Sequence, residues 1–126
     1  MAYEMDVLDI TCIAAADLSS YQYRFVKLTA DNTVNVCGAG EQAIGVLQNK
    51  PIAGAAARVR VFGVSRITNG TAGAIAYGAK AMSAADGKVV ASSTDKDVYF
   101  GIVLDGVSNV NEMVTVLITG VHTLSV

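Results

Sequence analysis

The residues that decide the fold are Val59-Arg-Val-Phe-Gly-Val64, and a similar string, Val116-Leu-Ile-Thr-Gly-Val121, follows 57 positions later. In and beside the first string, apolar side chains alternate with the arginines Arg58 and Arg60. A period of two is typical of a β-strand with one buried face. We therefore predict four inward-pointing core side chains in equivalent pairs: Val59, Val61, Val116 and Ile118. A repeated strand of this kind indicates an internal duplication.

Two further pairs of segments match in the same order. The polar turn and short strand of Lys27–Val34 align with Lys80–Val89, and Gly45-Val-Leu47 aligns with Gly101-Ile-Val103. The offset between matched residues grows from 53 at the lysines to 57 at the last glycines. Single-residue insertions in loops would produce this drift.

The duplication divides a single domain, residues 1–126, into a first repeat over 21–67 and a second over 77–124. Residues 1–20 are predicted to lie outside the repeat as an N-terminal extension. Two interpretations of this extension stay open: an arm that pairs edge to edge with another chain, or a further strand of the chain's own barrel.

The spacing of turn residues predicts the fold class. Turn residues recur every eight to twelve positions with short Val/Ile-rich runs between them, and no segment carries a helical period. The prediction is an all-β protein, a small β-barrel or sandwich built from two pseudo-symmetric halves that pack as one core.

Composition excludes several classes of protein. The net charge of −2 is unlike that of a nucleic-acid-binding surface, and no apolar run approaches the ~18 residues of a membrane span. The first residues lack the basic start of a secretory signal, so we expect no such signal here. The two cysteines, Cys12 and Cys37, are then expected to be buried thiols rather than a disulfide.

Charge is unevenly distributed along the chain: residues 1–20 carry −4, residues 21–88 carry +5 and residues 89–126 carry −3. Acidic ends that flank a basic middle favour contacts between subunits. The candidate protein-interface residues are Asp6, Asp9, Arg58, Arg60 and Arg66. In the second repeat, Thr115 and Leu117 stand at the positions of Arg58 and Arg60, so only one of the two strands presents cations.

No pattern in the chain indicates catalysis, a metal or a cofactor. The one histidine, His122, has no cysteine or acid at ligand spacing. Gly38–Ala43 matches a dinucleotide-binding pattern, but a strand-like segment follows instead of the required helix. Asn69-Gly-Thr71 and Asp95-Lys-Asp97 are predicted to be turns. We expect that the protein is not an enzyme and binds no cofactor.

Most of residues 23–120 resembles the small capsid cement, or head-decoration, proteins of tailed bacteriophages. The resemblance rests on glycine turns and strand residues in the order found in the family: Ala43–Asn49, Ala53-Gly54, Val59–Ser65, Gly73–Gly78, Asp86–Val90, Gly101–Leu104 and Val114–Leu117. Two departures concern loops. Ala55 follows Gly54 where the family usually has Ala-Gly-Glu, and a glycine expected near Asn111 is missing.

The resemblance implies a structural protein on the outer surface of the virion's capsid. It would bridge and lock neighbouring copies of the major capsid protein, and it would be a homo-oligomer, with a trimer favoured. Its partner would be protein, with no direct contact to nucleic acid or membrane. The alternative is a carbohydrate- or receptor-binding β module of a virion fibre.

Overall fold

The computed structural model describes residue 2 and residues 5–71, 73–92 and 98–123, without the side chains of residues 5–7 and 122–123. The predicted turn at Asp95–Asp97 lies outside the described residues. No described residue is helical. The strands are β1 (Met5–Ala14), β2 (Phe25–Ala30), β3 (Thr33–Val36), β4 (Gly45–Leu47), β5 (Ala56–Thr68), β6 (Lys80–Ser83), β7 (Val89–Ala91), β8 (Val98–Asp105) and β9 (Met113–Thr123).

The first five strands form a closed barrel in the order β1-β3-β2-β4-β5, because β5 also pairs with β1. The β1–β5 pairing is antiparallel and runs from Met5 opposite Val64 to Ile13 opposite Ala56. At the other side of β1, Ile13 and Ala14 pair in parallel with β3. Closure leaves neither edge of this five-stranded sheet fully open.

The pairing of β1 corrects the arm interpretation of residues 1–20. Cys12, Ala14 and Leu18 are almost fully buried in the first barrel. Their apolar side chains fill the interior between β1, β3 and β5, so this segment is a wall of the chain's own barrel. The alternative that placed the segment as a barrel strand is the one the structure contains.

The remaining strands repeat the first barrel, with β5 shared between the two. The order β5-β7-β6-β8-β9 matches β1-β3-β2-β4-β5 strand for strand, and β9 pairs with β5 as β5 pairs with β1. A bridge between Asn69 and Val89 stands where Ala14 pairs with Val34 in the first barrel. The first unit therefore runs over residues 5–62 and the second over residues 63–123, which moves the predicted repeat boundaries and brings β1 inside the repeat.

Two glycines show that the units are equivalent in atomic detail. A Cβ on Gly45 would collide with the carbonyl of Arg60 and the side chain of Val59, and a Cβ on Gly101 would collide with the carbonyl of Leu117 and the side chain of Val116. Val26 pairs with Gly45 as Ala81 pairs with Gly101. This register corrects the alignment of Lys27 with Lys80, because Phe25 is the structural counterpart of Lys80.

Left-handed backbone conformations also recur in pairs. The four pairs of positive-φ residues at equivalent positions are Tyr23 and Gly78, Asn32 and Gly87, Gly54 and Asn111, and Gly63 and Gly120. Asn111 has φ 67° and Gly54 has φ 79°. Asparagine tolerates this region better than other side chains, so Asn111 keeps in the second unit the left-handed turn that Gly54 makes in the first.

The interior is made of two clusters of buried side chains, one inside the first unit and a larger one that fills the second unit and its interface with the first. Val59 lies in the first cluster, and Val116 and Ile118 lie in the second, all at 1% exposure or less, whereas Val61 is partly buried and packs against the first. The predicted inward direction of all four residues is confirmed, and so is the all-β barrel fold with two equivalent halves.

Replacing Ile118 by alanine should lower the free energy of unfolding by about 2–5 kcal/mol, because it leaves a cavity in the second core. Val61→Ala should cost less, since Val61 is only partly buried. Val121→Ala is the control on the same strand, because Val121 is 47% exposed, and it should change stability by no more than about 0.5 kcal/mol. Equal losses for Ile118→Ala and Val121→Ala in urea denaturation would contradict this placement.

Candidate interaction surfaces

The outer surface of the β1–β5 ribbon carries most of the predicted interface residues. Outward side chains form a strip, here called the β1–β5 face, that contains Leu8, Asp9, Thr11, Arg58, Arg60 and Phe62. Strand alternation explains the strip, because Val59 and Val61 take the inward positions between its members on β5.

Asp9 joins two arginines on this face. It lies directly opposite Arg60, whose Nε donates to Asp9 Oδ1 at 2.8 Å and whose Nη2 donates to Oδ2 at 3.1 Å. Arg58 Nε donates to Asp9 Oδ2 at 2.6 Å. Arg60 also donates from Nη1 to the carbonyl of Val64 at 3.1 Å. Only 4% of the Arg60 side chain and 13% of the Asp9 side chain are exposed, against 53% for Arg58.

The arginines shift the ionisation of Asp9. The hydrogen bonds from Arg60, followed by those from Arg58, hold the pKa of Asp9 below its ordinary value of 3.8, against the opposing effect of burial. A bidentate, partly buried carboxylate–guanidinium pair of this kind fixes the geometry of both groups. Asp9, fixed by Arg60, therefore holds Arg58 in a defined position on the β1–β5 face.

The depressed pKa of Asp9 predicts how stability depends on pH. The ionised form is favoured in the folded state, so its contribution to the free energy of unfolding is complete above about pH 3.8 and is lost as the pH falls through the lower folded-state value. In urea denaturation, the difference between the wild type and Asp9→Asn should shrink as the pH falls below this point. A difference that stays constant down to about pH 2 would refute the assignment.

The structure rearranges the predicted interface. Asp9, Arg58 and Arg60 come together within one chain, which corrects the expectation that the acids of residues 1–20 meet arginines of a neighbouring subunit. Arg60 is too buried to contact a partner. Arg66 lies in the second unit, with its guanidinium 5.3 Å from the ring centroid of Tyr23. The backbone of Asp6 pairs with Gly63, and its side chain lies outside the described residues.

The β1–β5 face includes two exposed apolar side chains. Leu8 and Phe62 are cross-strand neighbours at a bulge beside the Asp9 cluster, and they are 51% and 50% exposed. Neither was singled out from the sequence. The sequence could have predicted the exposure of Phe62, because residues 58, 60 and 62 alternate onto the same face of the strand as the arginines.

A tightly packed interface holds the two units together. The rings of Phe25 and Phe100 meet at 5.1 Å between centroids, and the amide of Phe25 donates to the carbonyl of Gly87 at 2.8 Å. Arg24 Nη1 donates to the carbonyl of Asp86 at 3.1 Å and lies 3.7 Å from its carboxylate. Phe25 is fully buried in the larger of the two clusters, so the units form one body.

An open groove of about 430 Å³ lies on the second unit between residues 74–77 and residues 104–108. Tyr77, at its rim, is 81% exposed, and Leu104 is 39% exposed. Ile75 and Val107, which both line the groove, are joined by an antiparallel backbone bridge. An exposed tyrosine beside a groove is a surface on which a flat ligand could stack.

The remaining sequence motifs have structural roles. Both Cys12 and Cys37 are free, buried thiols, as predicted, and burial raises the pKa of each. Asn69 is fully buried, and its side chain donates to the carbonyls of Gly73 and Asn109 at 3.0 Å. After Gly38–Ala43 the chain continues into β4.

Among the side chains that the structure describes, no three from His, Cys, Asp or Glu are grouped as a metal site would need. The described part of the chain also contains no helix long and apolar enough to span a membrane.

Both the sequence and the fold of this chain are similar to those of phage head proteins. The family model for phage cement proteins matches residues 3–120. Among solved structures, the chain is similar to the N base of head fiber gp8.5 in bacteriophage phi29, with a TM-score of 0.68 and 15% sequence identity over 89% of this chain and 93% of that chain. At this identity the likeness shows a shared fold. None of the curated proteins matches the sequence.

Proposed function

The chain belongs to the phage cement protein family, and we propose that it stabilises a phage head by bridging neighbouring copies of the major capsid protein from the outer surface. It is a structural protein of the virion, located on the capsid. The family match over residues 3–120 is the observation that carries the proposal. The protein would be made in the host cytoplasm and added to the assembled head.

The β1–β5 face is the proposed capsid-binding surface. Leu8 and Phe62 offer exposed apolar area, and Arg58 adds a half-exposed cation that Asp9 holds in place. An apolar anchor beside a fixed arginine is the composition found at the centres of protein interfaces. An acidic, apolar patch on the major capsid protein would be complementary.

Bridging requires that one molecule or oligomer of the cement protein contacts more than one capsid subunit. A homo-oligomer, with a trimer favoured, would present several copies of the β1–β5 face at once. Linked contacts raise the overall affinity without any new type of contact. Reinforcement then comes from buried surface, and we propose that the protein has no catalytic activity and needs no metal or cofactor.

The test uses heads assembled without this protein. Adding the purified protein should raise the temperature at which the heads release DNA, as measured by the fluorescence of a DNA-binding dye. The double variant Leu8→Ser/Phe62→Ser should bind heads at least about tenfold more weakly and protect them correspondingly less. Val110→Ser is the control, since Val110 is 44% exposed on the loop between β8 and β9, outside the β1–β5 face.

Two results would contradict the proposal. The first is a head that binds the protein without any gain in stability, which would remove the cement role. The second is a double variant that binds as tightly as Val110→Ser, which would exclude the β1–β5 face. Thermal unfolding of each variant in solution distinguishes a lost contact from a lost fold.

A second candidate function, a carbohydrate- or receptor-binding module, is favoured by the exposed Tyr77 beside its groove. Aromatic faces bind sugars by stacking and by burial of apolar area. A glycan array would show binding that Tyr77→Ser removes. Binding to heads but to no glycan would leave the cement role alone.

A further inference from the structure

The interface between the two units runs in one direction only. Residues of the first unit around Phe25 contact the end of β5 and the β6–β7 turn of the second unit. The four hydrogen-bonded pairs are Tyr23 with Thr68, Arg24 with Asp86, Phe25 with Gly87, and Gly40 with Ser83. If the units were related by a twofold axis, Lys80, the counterpart of Phe25, would contact Asn32, the counterpart of Gly87. Asn32 is instead exposed, so the contact is head-to-tail.

In a head-to-tail contact, each unit uses only one of its two contact surfaces. The first unit therefore keeps an uncovered copy of the surface that the second unit uses, and the second unit keeps an uncovered copy of the surface that the first unit uses. On the second unit, Thr68 and Ser83 are covered by the first unit and are 7% and 0% exposed. Their counterparts on the first unit are Ile13 and Leu28, which are 46% and 53% exposed. Asp31, the counterpart of Asp86, is also exposed. Ile13, Leu28, Asp31 and Asn32 are called the open tail.

The matching unused surface lies on the second unit. The first unit contributes Phe25, Cys37 and Val46 to the internal interface, each fully buried. The counterparts Lys80, Ser92 and Ile102 are only partly buried. The ammonium of Lys80 lies 5.9 Å from the ring centroid of Tyr99. Lys80, Ser92, Tyr99 and Ile102 are called the open head.

We propose that a second copy of this chain docks its open head on the open tail of the first, repeating between chains the contact made within one. Head-to-tail contacts propagate until a ring closes, so both exposed surfaces would be covered by one type of interface. Charge is complementary, because Lys80 of one copy would take the place of Phe25 and lie against Asn32 of the next, the residue that follows Asp31. This deepens the proposed oligomer and rests on it.

Charge reversal tests the contact in solution, without capsids. Sedimentation velocity should show a concentration-dependent oligomer for the wild type. Lys80→Glu and Asp31→Lys should each weaken self-association at least about tenfold. The double variant Lys80→Glu/Asp31→Lys should recover it, because every contact then joins opposite charges again. Lys50→Glu, at an exposed site outside both surfaces, should associate as the wild type does.

Leu28→Asp addresses the apolar part of the open tail, with Val110→Asp as its matched control. Leu28→Asp should give a folded monomer, with unfolding by urea at about the wild-type midpoint. A wild type that stays monomeric at high concentration would overturn the inference, and so would an oligomer that tolerates all three open-surface substitutions. A monomeric wild type that still protects heads would remove this contact and leave the capsid role standing.

Discussion

A chain that lacks residues 1–12 should fail to fold. Deletion removes most of β1, which pairs with β5 from Met5 to Ile13 and contributes Cys12 to the first core. The barrel would be left with an open edge and an uncovered apolar interior. Losing a whole wall exceeds the roughly 5–15 kcal/mol by which a domain of this size is stable. Circular dichroism and urea denaturation should show no cooperative transition.

Deletion of residues 1–4 is the matched control, because β1 begins at Met5. This shorter deletion should keep the wild-type unfolding midpoint. A chain without residues 1–12 that unfolds cooperatively with wild-type stability would contradict the shared-strand architecture, and it would restore the interpretation of this segment as an arm.

Asp9→Asn should lower the free energy of unfolding by about 3–5 kcal/mol at neutral pH. Asparagine keeps the size of the side chain but removes the charge that balances Arg60, whose side chain is 4% exposed. The amide also offers one acceptor oxygen where the carboxylate offers two to Arg60 and Arg58. An uncompensated, buried guanidinium is the source of the loss.

Glu41→Gln is the control for Asp9→Asn. Glu41 accepts two hydrogen bonds from Lys27 at the surface, where solvent screens an ion pair and its substitution should change stability little. Equal, small effects of the two substitutions in urea denaturation at neutral pH would show that the Asp9 pair is solvated, contrary to its burial in the barrel wall.

The duplication was most visible in the sequence where both units keep the same backbone constraint. Gly45 and Gly101 recur because each lies against a carbonyl of the neighbouring strand, and Gly63 and Gly120 recur because each has positive φ. These requirements act on residue type directly. They made the all-β, two-part fold predictable.

The role of β1 left no such trace. Cys12-Ile-Ala14 occupies the same place in the first unit as Ile67-Thr-Asn69 in the second, yet the two strings share no residue. Packing requires only an apolar side chain at the inward position, and cysteine (Cys12) and isoleucine (Ile67) both meet that requirement. A strand that serves two barrels also breaks the assumption that repeats follow each other without overlap.

The candidate site was predictable in composition but not in pairing. The sequence indicated that Asp9, Arg58 and Arg60 act together, but it offered no means of telling a contact between chains from one within a chain. The register that puts Asp9 opposite Arg60 depends on the bulge at Leu8, and a shift of one residue would reverse the faces. The exposed pair Leu8 and Phe62 depends on the same bulge.

Cryo-electron microscopy of heads with and without the protein tests the central claim most directly. The account predicts a difference density on the outer surface of the capsid, into which the two-barrel chain fits. Each density should contact at least two neighbouring capsid subunits, with the β1–β5 face turned toward them. Density that is confined to one capsid subunit, lies inside the shell or is absent from the head would contradict the proposed bridging.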